Sequence, residues 1–359
     1  MRVTASAAAV ALAVASLAGQ EPAPRPFPAA EPPPAAVEAP RAASQTAVER
    51  PSFEDFLAGI RAEAISRGIA PATLDTALAG LAPEPVVVAR DRAQPEATLS
   101  LDQYAAQRTT ARTVTAGRAE LRRHADVLAR VEQSYGVPPA VVVAVWGLES
   151  NFGRFTGTYP TVRALATLAY DGRRPLFRRE LFDALAILDR GDVPVDRLKG
   201  SWAGAMGQPQ FMPSSYRAHA VDFDGDGRAD IWTSLPDVFG SMASYLVHGG
   251  WTPALRWGRE VAIPSDALAR IDRTVPMRRE GCRAVRELSE PRPLADWHAL
   301  GVTMPGGGRL PSADVDASLV RGARRYFLVY RNYEALLSYN CSNAYAVSVG
   351  LLADKISGK

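Results

Sequence analysis

Glu149 is the one ionisable side chain between Pro138 and Gly153, and its surroundings are what could make it reactive. Pro138 and Pro139 suit a helix start, where a missing N–H costs nothing. Val141 to Leu148 are apolar on every side, which predicts a helix sunk in the interior. Glu149 closes it, just before Ser150, Asn151, Phe152 and Gly153. Burial and the negative end of a helix both favour the neutral acid, so the pKa should rise toward the range a general acid needs near neutral pH. A buried glutamate satisfied by an arginine or a backbone donor fits the same pattern.

A second cluster runs from Gly200 to Tyr216. Gly200, Gly204 and Gly207 allow backbone and ligand to approach closely. Ser201 and Gln210 can hydrogen-bond hydroxyl or acetamido groups, and Trp202, Phe211 and Tyr216 offer flat faces for sugar rings. The other reading is a tight structural turn.

A third cluster follows the pattern of a calcium loop. Asp222, Asp224, Asp226 and Asp230 stand at loop positions 1, 3, 5 and 9, with Gly227 at position 6. Arg228 at position 7 needs only its carbonyl, but Thr233 replaces the bidentate Glu of a strong loop at position 12. The expectation is a weak, structural calcium; the alternative is an acidic surface turn. No cofactor is expected in the chemistry itself. His124, His219, His248 and His298 share no metal-ligand spacing, and two distant cysteines make no zinc site. In an oxidising compartment Cys282 and Cys341 would form one disulfide; otherwise they are two buried thiols.

The elements needed to hold these residues are mostly helices. Phe53, Phe56, Leu57 and Ile60 keep helical spacing, and Pro71 opens a second helix through Leu81. A third spans 115–135, with Leu121, Leu128 and Val131 on its apolar stripe, and others are predicted at 161–170, 175–190 and 236–248. The region 257–328 changes character. Arg259 to Ile263, Arg283 to Leu288 and Tyr326 to Tyr330 read as short strands, and Tyr333 to Ile356 returns to helix.

The chain has 359 residues, 47% of them hydrophobic, and a net charge of +3, with no basic run dense enough to argue for nucleic acid. Residues 1–18 read as a secretory signal: Arg2, an apolar stretch from Ala7 to Leu17, and a small-residue cleavage site. That stretch is too short to span a bilayer, and Gln20 stands where a lipoprotein signal needs Cys. Residues 19–49 are rich in Pro and Ala and read as a disordered linker. An exported, soluble, periplasmic protein without transmembrane segments is the expectation.

Several motifs in order add a resemblance. They are Glu149-Ser150 with Gly153, Gly204-Ala205-Met206-Gly207 with Gln210-Phe211-Met212-Pro213-Ser214-Ser215-Tyr216, and Arg163 through Arg174. Val221 through Arg228, His248-Gly249-Gly250-Trp251, Tyr339-Asn340 and Tyr345 through Asp354 continue the series. From Ser52 to its end the chain resembles the lytic murein transglycosylases of the membrane-bound B family, glycoside hydrolase family 103. The resemblance implies a mainly α fold of the α+β kind, a lysozyme-like helical core with an N-terminal helical domain and a small β-rich insertion. On that reading residues 50–359 form the transglycosylase domain. It divides into an N-terminal helical part (50–135), a catalytic core with the calcium-type loop (136–256), a β-rich part (257–332) and a returning C-terminal helix (333–359).

It also implies a reaction: cleavage of the β-1,4 bond between N-acetylmuramic acid and N-acetylglucosamine, ending in a 1,6-anhydromuramoyl product. Glu149 matches the catalytic acid. Ser201, Gln210, Tyr339 and Asn340 match substrate contacts, and Arg173 and Arg174 could meet carboxylates of the peptide stem. Most glycosidases need two carboxylates. The nearest candidates here, Asp171 and Asp183, lie in an Arg-rich helical stretch and read as solvated. Glu149 would then serve alone, as acid and afterwards as base, helped by the substrate's acetamido group. The implied partner is the peptidoglycan glycan strand, met by a monomer. A muramidase that hydrolyses the same bond, and a non-catalytic peptidoglycan-binding protein, are the alternatives.

Overall fold

A computed structural model describes residues 51–93 and 99–358, so the expected signal (1–18) and linker (19–49) lie outside the described residues. Among the described residues no helix is long and apolar enough to cross a membrane.

The helix Pro139–Ser150 sits where its sequence demands, at the centre of the largest hydrophobic core. Val142, Val143, Ala144 and Val145 are wholly buried. Around it pack Ala111–Arg123, Ala125–Tyr135, Leu235–His248 and Asn343–Ser357. Asn151 ends the helix in the left-handed region, φ 50°, and Phe152 stays there at φ 59°. Two successive residues of that kind turn the chain sharply away just after Glu149.

A second core joins Phe53–Ser66 and Pro71–Ala77 to the pair Thr161–Asp171 and Pro175–Asp189. A third lies under a four-stranded antiparallel sheet, in the order Gly258–Val261, Tyr326–Val329, Asp316–Arg321, Arg292–Pro293. Trp297 is fully buried there and donates to the Ala317 carbonyl at 2.8 Å. The expected segment boundaries cut across these cores: Ile60 and Leu74 of the 50–135 part belong to the second, Leu128 and Val131 to the first.

Three local expectations are corrected. The helix expected at 115–135 is two helices, because His124 leaves helical geometry (φ −113°, ψ 23°) and caps one as it opens the other. Residues 333–356 likewise divide into Arg331–Tyr339 and Asn343–Ser357, with Asn340 extended and the Ser342 hydroxyl capping the Tyr345 N–H. Arg283 to Leu288 holds no strand. Arg283–Arg286 is a short helix whose preceding residue, Cys282, is bonded to Cys341. A helix that periodicity did not suggest, Leu101–Arg108, opens with a full capping box between Ser100 and Gln103 and packs on Asn343–Ser357.

Candidate active site

Glu149 is half-buried and opens onto a recess of about 390 Å³ lined by Gln107, Arg108, Thr113, Asn151 and Phe155. Its carboxyl pKa is pushed up to about 7, first by burial. Two groups oppose that push: the hydroxyl of Tyr345, which donates to Oε1 at 2.6 Å, and the Arg108 guanidinium. Burial, and then the nearby Glu149 charge, hold the Tyr345 phenol well above its ordinary range, so it remains a donor. No second carboxylate lines the recess among the described residues. Phe155 stands at its edge, 69% exposed, an apolar face open to a ligand.

The glycine-rich turn braces the acid from beneath. Trp146, one helical turn before Glu149, donates its indole N–H to Gln208 Oε1 at 2.8 Å, and Gln208 Nε2 donates to the Trp232 carbonyl. The chain after Glu149 then lies directly on the turn. A Cβ on Gly153 would strike the Gln208 side chain, and one on Gly157 would strike the backbone of Gly200. Tyr159–Pro160 and Lys199–Gly200 pair as a short antiparallel ribbon alongside. Gln208 carries no helical or strand periodicity; only its place between two motif residues, Gly207 and Gln210, hinted at it.

The predicted contacts fall into two groups. Ser201 Oγ accepts from the Ala203 and Ala205 N–H groups, and Gln210 Nε2 donates to the Thr156 and Gly207 carbonyls. Both therefore shape the turn, and both stay partly exposed. Tyr339 donates to the Pro209 carbonyl and stacks on Tyr345 with ring centroids 6.5 Å apart, while Asn340 is exposed beside it. Phe211 and Tyr216 are a correction: at 1% and 2% exposure neither has a face to offer a sugar. Phe211 packs on Tyr245 and Tyr339, and Tyr216 donates to the Ala229 carbonyl.

Arg173 and Arg174 both meet Asp91, at 3.0 and 3.2 Å, so their charge has a fixed partner on the Pro85–Arg92 helix. Asp171 is not solvated as expected. Its side chain is 7% exposed and pairs with Arg92, and Asp183 pairs with Arg217. Neither lines the recess at Glu149.

The acidic loop brings together Asp222, Asp224, Asp226 and Asp237, whose carboxylate oxygens lie within 4.8 Å of one another. Asp237 is fully buried, accepts from the N–H groups of Phe223, Asp224 and Asp230, and was missed because it lies beyond the twelve-residue loop pattern. The expected ligands Asp230 and Thr233 hydrogen-bond each other, outside that cluster. An Asp-rich cup of hard oxygens around one buried carboxylate suits calcium chemically. The same loop ends at Ile231 and Trp232, whose carbonyls hold the Gln208 backbone and side chain.

Cys282 and Cys341 form a disulfide, joining the β-rich part to the residues just before the Ser342 cap. His219 and His248 meet with ring centroids 4.9 Å apart, a proximity their spacing did not reveal.

A family model for the transglycosylase SLT domain matches residues 52–354. The membrane-bound lytic murein transglycosylase B of Escherichia coli (strain K12) is 35% identical over 240 residues, 66% of this chain and 61% of its own length. SltB3 from Pseudomonas aeruginosa, solved in complex with NAG-anhNAM-pentapeptide, matches with a TM-score of 0.77 and 43% identity over 86% of this chain and 80% of that one. The Escherichia coli lytic transglycosylase Slt35, solved in complex with calcium, matches with a TM-score of 0.68 and 28% identity over 86% of this chain and 93% of that one.

Proposed function

This chain belongs to the transglycosylase SLT domain family, and from that premise we propose that it is a peptidoglycan lytic transglycosylase. Its substrate is the β-1,4 bond between N-acetylmuramic acid and N-acetylglucosamine, and Glu149 is its acid and base. The observation that carries the reading is a lone carboxyl with a pKa of about 7, opening onto a recess and bonded to Tyr345.

Each step follows from having one carboxyl. Protonated Glu149 gives its proton to the glycosidic oxygen as the C1–O bond breaks and the N-acetylglucosamine hydroxyl leaves. The muramoyl acetamido carbonyl stabilises the cation at C1. Glu149, now ionised and steadied by Tyr345 and Arg108, takes the proton of the C6 hydroxyl as that oxygen bonds to C1. The enzyme returns to its protonated state with no water consumed. Water at C1 would give hydrolysis instead, so its exclusion decides the product.

Calcium in the acidic loop, held by Asp222, Asp224, Asp226, Asp237 and the Arg228 carbonyl, has a structural role in this reading. It would fasten the loop that supports Gln208 and, through Trp146, the glutamate helix. The test of the whole reading is mass spectrometry of digested sacculi. Anhydromuramoyl ends are expected; muropeptides with reducing ends would make the chain a muramidase, and binding without release would make it a binding protein.

A further inference from the structure

Neither the proposed reaction nor the acidic loop uses His219 and His248, whose ring centres stand 4.9 Å apart. A tetrahedral zinc with nitrogen ligands at about 2.1 Å holds two imidazole centres about 5 Å apart. The two rings already keep the separation of a shared ion.

The state of each nitrogen fits that ion. His248 Nδ1 lies 2.8 Å from the Ser244 carbonyl, which can only accept. Nδ1 therefore carries the proton, and Nε2 keeps a free lone pair on an exposed side chain. A backbone carbonyl on the far nitrogen is also how proteins orient a ligating histidine. His219 Nδ1 is shut off from solvent and has no hydrogen-bond partner among the described residues. A buried polar atom without a partner is costly, and an ion would supply one. Burial, and then His248, lower the His219 pKa, favouring the neutral ring that a metal requires.

The backbone adds to this. His219 closes the helix Pro213–His219 and His248 closes Leu235–His248, and helix C-terminal ends favour a cation. The acidic loop runs between these helices, but its carboxylates suit calcium, whereas imidazoles suit zinc, nickel or copper. Both cysteines are in the disulfide, so no thiolate competes for such an ion.

We propose that His219 Nδ1 and His248 Nε2 bind one divalent transition-metal ion of the zinc class, with water completing its shell. The ion clips together the ends of two helices that flank the acidic loop. His219 also stands 4.5 Å from Tyr245, which stands 4.6 Å from Tyr339. The clip thus fastens the outer end of the row of rings that leads to Tyr345. The site does not depend on the proposed reaction, and its test is binding.

The probe is zinc, titrated by calorimetry into the full chain without a histidine tag, with calcium saturating to fill the acidic loop. One zinc per chain with a micromolar Kd is expected, and excess zinc should raise Tm by a few degrees. His248→Gln and His219→Gln should each raise Kd at least tenfold and abolish the Tm rise, while His124→Gln and His298→Gln keep both. Cobalt should give the wild type the visible absorption of a tetrahedral site, lost in His248→Gln. His248 is exposed, so that variant should melt with its parent in the absence of zinc and carries the test by itself if His219→Gln misfolds. Zinc binding that calcium abolishes overturns the site, because the ion then belongs to the acidic loop. Unchanged affinity and cobalt absorption in His248→Gln overturn it as well.

Discussion

Glu149 and Asp237 are both carboxylates that burial pushes upward, and the proposed function gives them opposite tasks. Asp237 sits in the first turn of Leu235–His248, where the helix end is positive, and three backbone N–H groups bond its oxygens. Glu149 sits in the last turn of its helix, with one tyrosine donor and an open recess. Burial alone therefore does not make a catalytic acid. The number of fixed donors, and a route for a substrate oxygen to approach, separate a proton donor from a scaffold.

Glu149→Gln should break the contrast outright, lowering turnover on the order of a thousandfold in a muropeptide-release assay while binding survives. The same variant tests the buried charge. The folded pKa lies above the unfolded one, so wild type loses stability as pH rises from about 4.5 to 7, the window set by Glu149. Glu149→Gln should thus melt above wild type at pH 8 and with it at pH 4.

Tyr345→Phe sharpens the comparison from the side of the donor. Its hydrogen bond favours the ionised carboxylate, so removing it should move the alkaline limb of the pH–rate profile upward and cost about three- to tenfold in kcat. Asp237→Asn should instead cost about 1–3 kcal/mol of stability, leaving that limb where it is. A chelator gives the smallest effect expected, a lower Tm with no shift of the limb; an unchanged Tm with and without calcium would remove the ion from the account.

The setting of Glu149, half-buried at the end of an apolar helix, was legible because such a helix with a single terminal acid leaves few readings, and the ordered motifs suggested a reaction for it. Its partners were not legible. Tyr345 lies 196 residues away and Arg108 on a helix without a clear stripe, so only tertiary packing brings them in. Phe211 and Tyr216 misled because aromatic type does not say which way a ring faces; theirs are spent on the core. Arg283 to Leu288 alternates like a strand, yet it begins at a cross-linked cysteine and folds as a short helix. The fold class survived such misreadings since it rests on long helical patterns, which single residues seldom overturn.

The Cys282–Cys341 bridge anchors the wall that faces Glu149. It spans 59 residues, and closing such a loop removes about 4 kcal/mol worth of freedom from the unfolded chain. The end it fastens precedes Ser342, which caps the helix carrying Tyr345. A reduced chain keeps Glu149 in its own helix but loses the covalent anchor of the hydroxyl that touches it. The bridge thus fastens, from outside the glutamate helix, the segment that holds the one tyrosine donor against Glu149.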